Sequence, residues 1–137
     1  MIFPFKKKYL PKAVNDAVRA KNINDISQGP GQTLIALSNI DKYIYNLNAN
    51  GKVLSSFSID KDLEVIRILL NKDNEIIALT KEKMLFYSLS GELLKSVVIP
   101  DNLYNTRAPY EIKLDSKGKI YLLRSSYSEG DKQISIF

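Results

Sequence analysis

The strongest constraint on what this chain can fold into is an internal repeat. Leu34-Ile35-Ala36-Leu37 returns as Ile76-Ile77-Ala78-Leu79, and the same offset of 42 carries Ile26 to Ile68, Tyr45 to Tyr87 and Leu47 to Leu89 without a gap. A third copy follows 44 residues on, where Ile68, Ile76 and Leu79 become Ile112, Ile120 and Leu123. Each copy breaks at turn residues into short apolar runs, as strands joined by hairpins do. In the second copy the predicted strands are Val65–Leu70, Ile76–Thr80, Met84–Leu89 and Leu93–Ile99, with the last two joined at Ser90-Gly91. Asn50-Gly51 occupies the matching place in the first copy, and Asp115-Ser116-Lys117-Gly118 supplies a turn in the third. Glycine suits such turns because it reaches positive φ without steric cost.

Four strands in a repeat of about 40 to 45 residues describe propeller blades, each too thin to bury both faces alone. The period disfavours a β-sandwich. The expected fold class is all-β: a basic leader over residues 1–22, then a partial β-propeller of three tandem four-stranded antiparallel blades at about 23–60, 64–100 and 110–137. The third copy stops inside its third strand, Ile134-Ser135-Ile136-Phe137, with Phe137 matching Tyr87. Met1–Phe5 is the apolar stretch left to supply a fourth strand, and Pro4 confines it to an edge. Three blades also leave apolar faces in need of cover. The candidates are head-to-tail dimerisation into a six-bladed ring, a larger partner, or a longer propeller of which this chain is a piece.

Residues 86–96 (Phe-Tyr-Ser-Leu-Ser-Gly-Glu-Leu-Leu-Lys-Ser) and then Pro109 to Tyr121 resemble the closing strand pair of one blade and the opening pair of the next in the NHL-like six-bladed propeller family. The resemblance covers about residues 23–137 and implies a platform for protein, RNA or carbohydrate. The chain departs from that pattern at Leu123-Arg124-Ser125-Ser126, and the zinc-binding histidines of the lyases among such propellers have no counterpart.

The chain contains neither histidine nor cysteine. Triads of the Ser-His-Asp type, thiolate nucleophiles, disulfides and zinc-thiolate sites are therefore excluded. The acids at turns, Asp60 with Asp62 and Asp73 with Glu75, follow no calcium-loop pattern and suit the turns themselves. Gly29-Pro30-Gly31 lacks the lysine and helix of a phosphate cradle. No cofactor and no metal are expected. Tyr43, Tyr45, Phe86, Tyr87 and Tyr121 alternate along strands and are expected to pack between blades.

The net charge of +5 sits entirely in residues 1–22, where Lys6, Lys7, Lys8, Lys12, Arg19 and Lys21 face the single acid Asp16; the remaining residues carry 14 basic and 14 acidic side chains. Any contact with a polyanion, whether nucleic acid or an anionic membrane surface, is expected to begin there. Pro11 can start a short helix with Val14, Ala17 and Val18 along one stripe, and the arm, where it does not dock on a polyanion, is expected to pack on the blades or to be partly disordered. No apolar run reaches the roughly 20 residues of a membrane span, and a cytoplasmic location is expected.

Propeller ligands meet loops at one end of the blades, and the longest connections run from Pro100 to Pro109 and from Ser125 to Lys132. Tyr104, Asn105, Arg107 and Tyr127 are the expected partner-binding residues, since Tyr and Arg dominate interface energetics. The sequence is thus read as a non-catalytic interaction or scaffold module that binds a protein partner or itself. The alternative is an RNA- or ribonucleoprotein-associated protein acting through its leader.

Overall fold

The computed structural model describes residues 12–100, 106–126 and 132–137. Among them a helix, α1 (Lys12–Ala20), precedes a first sheet of β1 (Asp25–Gln28), β2 (Leu34–Ser38), β3 (Tyr43–Leu47) and β4 (Val53–Ser58). A second sheet holds β5 (Arg67–Leu70), β6 (Ile76–Leu79), β7 (Lys83–Tyr87) and β8 (Leu93–Val98). A third holds β9 (Thr106–Leu114), β10 (Ile120–Ser126) and β11 (Lys132–Ile136). Every pairing is antiparallel between strands consecutive in the chain. These are three propeller blades, the third with three strands among the described residues; Met1–Phe5, the predicted closing strand, lies outside them.

The central strands β2 and β6 are apolar without alternation because each blade is sandwiched between neighbours and buries both faces. Ile35, Leu37 and Ile44 of the first blade meet Ile76, Ala78, Leu85 and Tyr87 of the second. On its other face, Ile77, Leu79, Met84 and Phe86 meet Ile112, Ile120 and Leu122 of the third. Each fully buried aliphatic side chain contributes on the order of 1.5–3 kcal/mol, so these two seams hold the array together. The expected interblade role of Phe86 and Tyr87 is met by this packing.

The hairpins are closed by side chains that occupy backbone donors. Asn48 Oδ1 accepts the N–H of Asn50 and Lys52, Asn71 Oδ1 that of Asp73 and Glu75, and Asp115 Oδ1 that of Lys117 and Lys119. Asp60 does the same for Asp62, so this acid serves its turn as expected.

Two details differ from the sequence expectation. The offset of 42 holds for the first two strands, where Ile26 pairs with Ala36 as Ile68 pairs with Ala78, but not for the third. Leu34 pairs with Leu47 whereas Ile76 pairs with Tyr87, so Leu47 corresponds to Tyr87 and Tyr45 to Leu85. The β2–β3 connection is longer by two residues. A shift of two leaves each side chain on its original face, which is why the error is invisible in the hydrophobic pattern. The second difference is β9, which begins at Thr106; its pairing of Thr106 with Ser126 and Pro109 with Arg124 turns half of the expected Pro100–Pro109 loop into strand. In the third blade, reciprocal hydrogen bonds between Ile120 and Phe137 (3.0 and 2.8 Å) reproduce the Ile76–Tyr87 pair, as the match of Phe137 to Tyr87 predicts.

Helix α1 closes the first end of the array. Val14 is fully buried against Leu34, Ala36 and Leu47, with Ala17 and Val18 beside it, the stripe expected from their spacing. Gly51 lies directly under the Ala13 carbonyl, with no room for a Cβ, while its counterpart Gly91 lies directly under the Phe57 ring of β4. Relative to the first blade, α1 therefore stands where β4 stands relative to the second. It acts as a terminal cap, which repeat arrays need to keep their end faces out of water. The face of the first blade that head-to-tail ring closure would need is therefore occupied by α1.

Candidate functional site

The first strand of each blade lies innermost, and β1, β5 and β9 together line an open axial groove of about 500 Å³. Each of these strands gives one edge to its own sheet and turns the other toward the groove, where backbone donors require partners. The preceding blade supplies two of them. Asp25 Oδ2 accepts the Ile68 N–H at 2.8 Å and Ser27 Oγ accepts the Leu70 N–H at 3.2 Å, so polar side chains of β1 stitch the exposed edge of β5. Between the second and third blades the link is ionic, with Arg67 Nε 3.9 Å from Glu111 Oε1. Glu111 Oε1 also accepts the Ile112 N–H, and Arg67 Nη1 donates to the Ile66 carbonyl.

Charge in the groove is mixed: Asp25, Arg67, Glu111 and Lys113 all line it. Burial pushes the Asp25 carboxyl above its ordinary value of 3.8, against the lowering effects of the Ile68 N–H and the Arg67 charge. Ser27 Oγ donates to the Gln28 carbonyl while accepting from Leu70, so its hydroxyl is engaged with backbone on both sides. Among the described residues no group of three or more acidic side chains converges as a metal site. This arrangement can hold polar, extended matter by hydrogen bonds and charge.

The groove was not among the sites expected from the sequence, which lay on the loops. The signal was present in the repeat itself: Asp25, Arg67 and Glu111 occupy one repeat position, and Ser27, Leu69 and Lys113 another. Of the expected partner-binding residues, Tyr104, Asn105 and Tyr127 lie outside the described residues, and Arg107 stands within β9 rather than in a loop. Thr106 and Ser126 are register partners, so the connections before β9 and after β10 leave from the same end of the third blade.

Of the leader cations, Lys6, Lys7 and Lys8 lie outside the described residues. Lys12 is paired with Asp16 at 2.9 Å one helical turn away, and Lys21 Nζ lies 5.1 Å from the centre of the Tyr45 ring. Arg19 is exposed in the last turn of α1, where a cation complements the helix dipole. Arg124, one of the departures from the family pattern, is buried and donates to the Pro100 carbonyl at 3.1 Å, tying the third blade to the strand end that precedes it.

The architecture defines three consecutive blades of a β-propeller, and solved propeller structures match it. Virginiamycin B lyase from Staphylococcus aureus superposes with a TM-score of 0.59 at 16% identity, covering 84% of this chain and 41% of that one. A gluconolactonase from Xanthomonas campestris matches at 0.57 and 8% identity (85% and 44% covered), and YCF48 bound to D1 peptide at 0.58 and 10% (82% and 39%). This chain thus spans less than half the length of each. At such identities the likeness establishes the fold, and because two of the three are enzymes the fold itself does not exclude catalysis. No protein-family model matches the sequence, nor does any curated protein, so the resemblance to NHL-like repeats is supported at the level of the propeller fold alone. No helix among the described residues is long and apolar enough to cross a membrane.

Proposed function

We propose that this protein is a non-catalytic interaction module that receives an extended segment of a protein partner in its axial groove. The groove itself carries the reading: three inner strands side by side, with both signs of charge presented along them and their polar groups tied to backbone rather than poised for reaction. Extended peptides suit such a surface because main-chain hydrogen bonds supply affinity and alternate side chains supply specificity. Tyr104, Asn105, Arg107 and Tyr127, expected from the sequence to bind a partner, remain candidates for further contacts with it. The precedent of a propeller with a bound peptide agrees with this reading.

A photo-crosslinking amino acid placed at Leu69 or Lys113, with Ser56 on the outer strand β4 as control, tests it. Crosslinks to one partner peptide from the groove positions and none from position 56 are expected. Equal labelling at all three positions, or crosslinks to nucleic acid alone, would sink the proposal.

A second reading, association with RNA through Lys6, Lys7, Lys8, Lys12, Arg19 and Lys21, is favoured by the concentration of the whole net charge in residues 1–22. It predicts salt-dependent binding that the groove does not influence.

A further inference from the structure

Two gaps separate the three inner strands, and they are built differently. In the first, Asp25 and Ser27 of β1 give acceptors to the Ile68 and Leu70 N–H groups of β5, at 2.8 and 3.2 Å. One step along the repeat, Arg67 and Leu69 stand in those places and face the third blade, with Leu69 packed in the second seam and Ile68 in the first. Neither an arginine nor a leucine side chain has an acceptor to give. The corresponding donors of β9, the Ile112 and Leu114 N–H groups, therefore receive nothing from the side chains that replace Asp25 and Ser27. Glu111 supplies the Ile112 N–H from its own carboxylate at 3.0 Å, whereas Leu114 has apolar Leu69 at the repeat position from which Ser27 serves Leu70.

Both acids of the groove are thus committed to backbone donors, Asp25 to Ile68 and Glu111 to Ile112. Arg67 is not matched in the same way. Its Nη1 donates to the adjacent Ile66 carbonyl at 3.0 Å, its Nε stands 3.9 Å from Glu111, beyond hydrogen-bond reach, and its side chain is 39% exposed. The rest of its planar donor fork is suited to a carboxylate.

We propose that this second gap receives a carboxylate of the extended partner segment on Arg67, with a main-chain carbonyl of the same segment on the Leu114 N–H. The inference rests on the reading of the groove as a peptide site and specifies what the peptide carries there. The segment brings to β9 what Asp25 and Ser27 bring to β5, a carboxylate and a neutral oxygen two residues apart, about 6.6 Å along an extended chain. A singly charged group fits better than a phosphate, because Asp25 and Glu111 line the same groove and repel a second negative charge. The carboxylate is supplied either by an Asp or Glu side chain or by a free C-terminus.

Pools of random peptides about eight residues long, enough at ~3.3 Å per residue to overrun either inner strand, test this on the full chain carrying the photo-crosslinker at Lys113. The central residue is fixed as Asp/Glu, Asn/Gln or phosphoserine in C-terminally amidated pools, and the Asn/Gln pool is also offered with a free C-terminus. Capture of the Asp/Glu pool, or of the free-ended Asn/Gln pool, should exceed that of the amidated Asn/Gln pool roughly tenfold or more, and the pool preferred identifies the source of the carboxylate. Arg67→Gln should erase the preference at an unchanged melting temperature, since a partly exposed ion pair at 3.9 Å adds little stability. Arg67→Lys, a cation without the planar fork, should keep part of it. Lys52→Gln, which removes an equal charge from the exposed β3–β4 hairpin, should leave it intact. Equal capture of acidic and amide pools would overturn the proposal while leaving the groove as a peptide site. So would a preference that survives Arg67→Gln, or one for phosphoserine over Asp/Glu. Capture of no pool would remove the groove reading along with it.

Discussion

Gly91 has a φ of 94° and lies against the Phe57 ring of the preceding blade, so two independent constraints exclude a side chain there. Gly91→Ala should cost roughly 2 kcal/mol or more, combining backbone strain with the displaced seam, and a urea melt would measure it. Asp25 offers a finer test, because its carboxylate both caps the Ile68 N–H and is disfavoured by burial. Its raised pKa means that a penalty on folding is present at neutral pH and is relieved as the pH falls toward the ordinary value of 3.8. Asp25→Asn keeps an acceptor for the N–H and removes the charge, so it should melt at or above the wild-type temperature near about pH 7, with the difference shrinking near about pH 4. Asp25→Ala instead leaves the donor without its partner and should cost about 1–3 kcal/mol. Asp115 works in the opposite sense. Its carboxyl is held below 3.8, chiefly by the Lys119 N–H, so its contribution is present above that value and disappears as the pH falls through the lowered one.

Ser38, Thr80 and Arg124 are the buried polar side chains at one repeat position, the end of the second strand. Ser38 accepts the Asp41 N–H and Thr80 those of Glu82 and Lys83, closing tight hairpins. Arg124 cannot serve a turn in that way and reaches across to Pro100 instead, in the blade whose second strand is longest. The departure from the family pattern therefore coincides with a change of hairpin.

Among the elements, α1 bears the most weight for its length. Nine residues are too few for a stable isolated helix in water, so its order comes from the face it covers. Val14→Ala should cost about 1–3 kcal/mol, and Val14→Asp should detach the helix altogether. Deleting residues 1–22 would expose Leu34, Ala36 and Leu47. The truncated chain is then expected to self-associate or aggregate through that face, which light scattering would reveal; a monodisperse monomer would contradict the cap. This has a consequence for the RNA reading. Removal of the leader is not a clean test of it, since the same cut uncovers a core face.

At the scale of the whole molecule, stability is the sum of thin blades and the seams between them. Circular dichroism should show β structure with a small helical contribution from α1. If residues 6–8 bind single-stranded RNA, then Lys6→Ala/Lys7→Ala/Lys8→Ala should reduce the slope of log K against log salt by about 2, from roughly 0.7 per lost phosphate contact. Unchanged salt dependence, or no binding at all, would leave the axial groove as the leading interface.

The repeat of Leu34–Leu37 in Ile76–Leu79, with turn residues at matching intervals, was sufficient by itself to determine strands, hairpins and blades. Such periodicity is a local property, written by each strand's need to face two neighbours. The stripe of Val14, Ala17 and Val18 was legible in the same way. Only the tertiary structure decided where that stripe docks, because the Leu34, Ala36 and Leu47 face looks the same in sequence whether a blade or a helix covers it. Two-residue slips such as that between Leu47 and Tyr87 also escape sequence reading, since they keep every side chain on its own face. The groove formed by Asp25, Arg67 and Glu111 depends on strands more than 40 residues apart being stacked around one axis. Nothing in the spacing of those three residues fixes which backbone donors they meet; the stacking of the blades does.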